Sequence, residues 1–266
     1  MKKLILVYVI LIGAFLIYLV DYQSQEVPAS SNGNGEGLQG DINEKYVMVT
    51  FLVGIDYWKN VVKGFEDAAE ALNVSVEYRG ATQYDVNEQI TVLEQVIARK
   101  PSGIAISSMH PDALNATIDK AINAGIPVVM FDSDAPDSKA YSFLGTDNYN
   151  AGVTVAHKMA ELIDNSGKVA VITLPNQQNH MDRSRGFRET VERQYPNIEV
   201  VAIEDGKGDE LVSGNLAVGV LKDHPDLKGV FVTEANGGVG VAKATKTLKV
   251  DKQVKIIGFD TDKQTL

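Results

Sequence analysis

From Tyr46 onward, short apolar runs alternate with longer stretches in which apolar residues recur every three to four positions. The short runs predict strands at Val47–Val53, Val74–Tyr78, Ile104–Ser107, Pro127–Phe131 and Tyr141–Leu144. Four more follow at Lys168–Thr173, Ile198–Ile203, Gly229–Thr233 and Val254–Phe259. Between them the longer periodicity predicts helices over Trp58–Leu72, Val86–Lys100, Asp112–Ala124, Ala151–Ile163, Met181–Gln194, Glu210–Asp223 and Val239–Leu248. Apolar strands alternating with helices of this length mean right-handed βαβ units and parallel sheets. So many strands are better divided between two sheets than held in one. The α/β body is therefore expected to form two Rossmann-like lobes joined by a hinge and divided near Asp147, one over 45–146 and one over 147–266.

Ahead of the body, Met1-Lys2-Lys3 leads into an unbroken apolar run, Leu4 to Val20, closed by Asp21. As a helix this run reaches about 25 Å, close to the ~30 Å of a bilayer's hydrocarbon core. Lysines before it and acidic residues after it place the N-terminus inside and the body outside the cell. Residues 1–20 are read as a transmembrane anchor in preference to a cleavable signal segment. In the rival reading, Val27-Pro28-Ala29 is the cleavage site. Residues 21–44 include Ser-Ser-Asn-Gly-Asn-Gly-Glu-Gly and almost nothing apolar, the pattern of a flexible linker.

Charge and cysteine content narrow the function classes. The 266 residues carry a net charge of −10, the wrong sign for a phosphate-binding nucleic-acid surface. With no cysteine in the chain, disulfides, cysteine-ligated zinc and a lipoprotein anchor are excluded. The four histidines, at 110, 157, 180 and 224, are too scattered for a metal cluster. No nucleophile elbow, zinc-protease helix motif or phosphate-binding P-loop is present. Gly237-Gly238-Val239-Gly240 follows a strand and opens a helix, but lacks the full dinucleotide spacing. No cofactor is therefore expected.

In open α/β sheets, ligands sit beyond the carboxyl ends of the strands. There the chain places Tyr57 and Trp58, Ser107, Asp132, Arg183, Glu234 with Asn236, and Asp260. Carboxylates accept from pairs of hydroxyls, arginine donates, and an aromatic ring stacks on the C–H face of a sugar. Plainer readings stand beside these. A strand-end aspartate also serves as a helix N-cap, Tyr57-Trp58 also suits the buried start of a helix, and Arg183 also suits a solvated helix face. What favours a site is the recurrence of such residues at the same end of successive strands.

Several stretches, taken in order, resemble the periplasmic sugar-binding proteins of the ribose-binding type. They are Asp56-Tyr-Trp-Lys59 through Gly64-Phe65; Ala124-Gly-Ile-Pro-Val-Val-Met-Phe-Asp132-Ser-Asp; Gly145-Thr-Asp-Asn-Tyr-Asn-Ala-Gly152; Asn179-His-Met-Asp-Arg183-Ser-Arg-Gly-Phe187; His224-Pro-Asp-Leu-Lys-Gly-Val-Phe231; and Ile256-Ile-Gly-Phe-Asp260. The resemblance implies a non-enzymatic, extracytoplasmic receptor that closes two lobes on a monosaccharide. It places Tyr57 and Trp58 against the sugar ring, Asp132 and Ser107 on the first-lobe hydroxyls, and Arg183, Glu234, Asn236 and Asp260 in the second lobe. Ser133 and Met181 stand where ribose binders carry arginines, so the ligand is expected to be another simple sugar or polyol, or the furanose-like signal autoinducer-2. In that family the chain continues past the Gly-Phe-Asp strand and returns to the first lobe. With the sequence ending at Leu266, the first sheet is expected to lack part of its structure and expose an edge.

Three functions follow from the resemblance and its rivals. The first is ABC-type sugar uptake, with a permease as partner. The second is a membrane-tethered sensor acting on a kinase or chemoreceptor. The third, weaker, is a sugar-processing enzyme. A DNA-binding repressor with the same core would begin with a helix-turn-helix, and this chain begins with an apolar run.

Overall fold

The computed structural model describes residues 38–260. The Leu4–Val20 run, most of the expected linker and the segment after Asp260 lie outside the described residues. Among the described residues no helix is long and apolar enough to cross a membrane. The end of the 21–44 stretch is already tied to the body: Gly40 donates to the Leu72 carbonyl (2.8 Å), and the Glu44 carbonyl accepts from Ser75 (2.9 Å).

The first lobe is a five-stranded, fully parallel sheet in the order β2-β1-β3-β4-β5. Its strands are β1 (Lys45–Thr50), β2 (Ser75–Gly80), β3 (Gly103–Ile106), β4 (Val128–Phe131) and β5 (Phe143–Leu144). Helices α1 (Lys59–Leu72), α2 (Val86–Ala98) and α3 (Pro111–Asn123) connect them. The second lobe orders β6 (Gly167–Thr173), β7 (Ile198–Asp205), β8 (Leu227–Val232) and β9 (Lys255–Ile257) as β7-β6-β8-β9, again all parallel. Its helices are α4 (Asn148–Leu162), α5 (Gln178–Gln194), α6 (Glu210–Asp223) and α7 (Ala235–Thr247).

Strands sandwiched between helices bury both faces, so period-two alternation sorts their residues between two cores. In β6, Ala170 and Ile172 face α6 and α7, where they meet Ala217, Leu221 and Val241. Val169 and Val171 face the other way and join Met159, Phe187 and Phe231 against α4 and α5. The first lobe fills one core with Val47, Val49, Ile104 and Ile106 against Leu93 of α2 and Leu114 and Ile118 of α3. Helix starts are fixed by acids. Asp85 caps α2, Asp147 caps α4 and Asp209 caps α6, each side chain accepting first-turn amides.

Two glycine pairs let neighbouring helices touch backbone to backbone. A Cβ on Gly152 would stand 2.1 Å from the Arg183 carbonyl, and one on Gly186 2.1 Å from that of Tyr149. This locks α4 against α5. A Cβ on Gly240 would meet the Glu210 carbonyl, and one on Gly214 the Gly240 carbonyl at 3.1 Å. Helix packing thus accounts for Gly240 in the glycine run opening α7. The edge strand β5 is two residues long and leaves Leu144 80% exposed.

Candidate ligand-binding site

The carboxyl end of β4 turns sharply at Asp132, which takes a left-handed φ of 61°. Ser133 N–H closes that turn on the Phe131 carbonyl at 2.7 Å. Aspartate tolerates this region better than most side chains, and the turn holds its carboxylate at the end of the sheet. Two first-lobe hydroxyls converge on it: Tyr57 Oη donates to Oδ1 at 2.5 Å and Ser107 Oγ donates to Oδ2 at 2.7 Å. Burial pushes the Asp132 carboxyl above the usual carboxylate range, opposed by these hydrogen bonds and by the Arg183 charge.

In the second lobe Phe259-Asp260 lies two residues beyond the end of β9 at Ile257, and Asp260 again takes a left-handed φ, 64°. Arg183, reached from α5, is 5% exposed. Its Nε donates to Asn148 Oδ1 and its Nη1 to the Thr233 carbonyl, each at 2.8 Å. The guanidinium carbon lies 3.4 Å from the centroid of the Phe259 ring, a stacked cation–π arrangement. Burial lowers the Arg183 pKa, while Asp260, Tyr57 and Asp132 pull it back up. Desolvation raises Asp260, Arg183 lowers it, and repulsion from Asp132 raises it further. One cation and two carboxylates, contributed by both lobes, therefore share one electrostatic neighbourhood.

Not every candidate faces this array. Trp58 was expected at the cleft edge, but it is 1% exposed and its indole N–H donates to the Phe51 carbonyl at 2.8 Å. Its ring meets Phe51, Tyr57 and Phe131 edge-on at 5.1, 4.7 and 5.9 Å. A large ring with one donor buries well once that donor is paired. Tyr57, 47% exposed, is the aromatic the pair presents outward. Glu234 is the N-cap of α7: its two oxygens accept from Asn236 N–H and Gly237 N–H, both at 2.7 Å. Asn236 donates its side-chain amide to the Gly208 carbonyl at 3.1 Å. Both side chains are thus held by their own lobe.

The site residues singled out from the sequence do not include Asn148, which holds Arg183, or the buried group His180, Thr233 and Thr173, although Asn148 and His180 lie in stretches that carry the resemblance. His180 Nδ1 lies 3.0 Å from both the Thr233 carbonyl and its hydroxyl, and that hydroxyl donates to Thr173 at 3.0 Å. Burial, and secondarily the Arg183 charge, lower the His180 pKa to about 3. Because the folded value lies below the ordinary 6.5, the unfolded chain takes the proton first. The stability is complete above about pH 6.5 and is lost as pH falls toward 3. Thermal melts followed by circular dichroism should show a cost of about 2 kcal/mol on going from pH 7.5 to 5. His180→Asn, which keeps a side-chain donor, should remove most of that drop. An equal drop in the variant would show that His180 is not its source.

Two parallel α/β lobes, with an aspartate beyond the carboxyl end of a strand in each and the Arg183 guanidinium supplied by α5, are the architecture against which known proteins can be compared. The periplasmic binding protein domain matches residues 46–266, and the chain belongs to that family. The family is one of binding proteins rather than enzymes, and its location is extracytoplasmic. The chain is 26% identical over 213 residues to the xylose/arabinose-binding protein XylF of Sulfolobus acidocaldarius, covering 76% of this chain but only 52% of that protein. It thus spans about half the length of that relative. The arabinose binding protein AraP from Geobacillus stearothermophilus is 66% identical, with 84% of this chain and 76% of that one superposed at a TM-score of 0.71. A XylFII–LytSN complex contains a chain 29% identical to this one, covering 83% of this chain and 81% of that one at a TM-score of 0.78.

Proposed function

We propose that this protein binds an aldopentose of the arabinose type between its two lobes, outside the cytoplasm, and delivers it to an ABC-type uptake system. The observation that carries the reading is a buried guanidinium, Arg183 stacked on Phe259, together with two left-handed aspartates, Asp132 and Asp260, beyond the carboxyl ends of β4 and β9. Vicinal hydroxyls both donate and accept, so they suit acceptors flanking a guanidinium; a purely anionic or apolar ligand does not. The 66% identity to the arabinose binding protein supports the pentose. Ser107 and Tyr57 complete the first-lobe side of the proposed site, with the buried Trp58 behind Tyr57.

A second reading, a membrane-tethered receptor whose closed form engages a sensor protein, is favoured by two observations. They are the Leu4–Val20 run and the XylFII–LytSN complex. Differential affinity of the partner for the closed state would drive either output. Neighbouring genes decide between them: a permease and ATPase support uptake, a histidine kinase sensing.

The binding step itself is testable without a label. Trp58 is the chain's one tryptophan and lies 4.7 Å from the Tyr57 ring, so ligand contact with Tyr57 and lobe closure should shift its emission. Titration with arabinose, ribose, xylose, hexoses, inositols and autoinducer-2 should give a saturable shift for arabinose at micromolar concentration or below, about −8 kcal/mol or better. Calorimetry showing no heat with any pentose would overturn the pentose reading.

A further inference from the structure

Asp132 has a hydrogen-bond donor on each of its oxygens before any ligand is considered. Ser107, fully buried on the sheet, takes Oδ2. The donor on Oδ1 is different in kind. Tyr57 belongs to a single 3-10 turn, Asp56–Trp58, and its side chain is nearly half exposed. It follows a loop containing two left-handed residues, Leu52 (φ 46°) and Gly54 (φ 86°). Its phenol is also subject to the charges of Asp260 and Arg183 from the other lobe, as well as to Asp132. The Tyr57 hydroxyl therefore already occupies, on Asp132 Oδ1, an acceptor position that a sugar hydroxyl would use in the proposed site.

We propose that Tyr57 is a built-in competitor for the ligand: in the free protein its hydroxyl fills the Oδ1 seat on Asp132, and binding exchanges it for a sugar hydroxyl. The proposal rests on the sugar-binding reading above and specifies how that site sets its affinity. A site whose receptive form is only fractionally populated binds more weakly by that fraction. The exchange replaces one neutral donor on a carboxylate by another, so the competition lowers affinity without blocking the site. A ligand lacking the replacing hydroxyl leaves Tyr57 in place. The threshold concentration is thus set by a residue of the first lobe alone.

The sign of one substitution separates competition from support. Tyr57→Phe keeps the ring against Trp58 and removes only the hydroxyl, so the variant should fold cooperatively, with its melting temperature lowered only by the loss of one hydrogen bond to Asp132. Calorimetry with arabinose should show roughly fivefold tighter binding in the variant, the reciprocal of a receptive fraction near one fifth. Weaker or unchanged binding would mean that the hydroxyl assists the ligand or ignores it, and either result overturns the proposal. A second readout follows the contact itself. A downfield phenolic proton should be visible by NMR in the ligand-free protein, absent from Tyr57→Phe, and lost on saturation with arabinose. Its persistence in the saturated protein overturns the exchange. If the wild type binds no sugar at all, the functional reading fails and the competitor falls with it. If the wild type binds and only the variant misbehaves, the competitor alone fails.

Discussion

Asp132→Asn and Asp260→Asn are each expected to weaken arabinose binding by about ten- to a hundredfold while leaving the fold intact. Each substitution removes a charged acceptor of hydroxyl hydrogen bonds, a contribution of roughly 1.5–3 kcal/mol. Asparagine is the right replacement because both positions are left-handed, with φ of 61° and 64°. Asparagine tolerates that region as aspartate does, whereas alanine adds backbone strain. At Asp132 the amide also retains an oxygen for Tyr57 or Ser107, so the loss reports charge rather than collapse of the turn. Acidification should mimic the substitutions. Burial raises Asp132 and desolvation raises Asp260, so protonation removes the acceptors at a higher pH than for a solvated carboxylate. Affinity should accordingly fall as pH drops, beginning above the ordinary aspartate range. Unchanged affinity in both variants, measured by calorimetry, would show that the ligand binds elsewhere.

The largest stability effect is expected at the α4–α5 crossing. Gly152→Val places a Cβ 2.1 Å from the Arg183 carbonyl and 2.8 Å from the Phe187 nitrogen. Both obstacles are backbone, so the helices must separate. The expected cost exceeds about 3 kcal/mol, in the range reserved for overpacking and loss of core contacts. Because the obstructing carbonyl belongs to Arg183, the same separation displaces the guanidinium, and ligand affinity should fall with stability. Gly219→Ala on α6 is the control. Nothing lies within 4 Å of its Cβ, so alanine should stabilise by roughly 0.5–1 kcal/mol through helix propensity alone. If Gly152→Val melts like the wild type, the close crossing is not a constraint in solution.

Much of the fold was legible because its signals are local. The continuous apolar runs of β6 and β8 and the acidic caps at Asp85 and Asp209 act within a few residues, and the expected elements fall close to the observed ones. Boundaries moved where tertiary partners extend an element: β7 runs on to Asp205 through its pairing with β6, and α5 starts at Gln178 rather than Met181. The site was legible as a set of residue types but not as a set of roles. Glu234 at the end of β8 reads equally as a ligand acceptor or a cap. Only the amides of Asn236 and Gly237 identify it as a cap. Trp58 beside Tyr57 presents the same ambiguity, because sequence neighbours in a 3-10 turn point in different directions. Asn148 lies in the Gly145–Gly152 stretch that carries the resemblance, but nothing local marks its role, which depends on an arginine thirty-five residues away. A further sign is present in the chain: Phe131-Asp-Ser-Asp and Phe259-Asp-Thr-Asp are the same tetrapeptide save one hydroxyl side chain, and the aspartate after each phenylalanine is left-handed.

The burial of Trp58 gives the molecule a private optical address. The sequence has no second tryptophan, and this ring sits in the first lobe against Tyr57 and Phe51. Its emission during denaturation therefore follows one lobe, while the far-ultraviolet dichroism of the helices sums over both. Where the two curves coincide, the lobes melt as one cooperative unit; where they part, the gap between them measures how loosely the hinge couples the two halves.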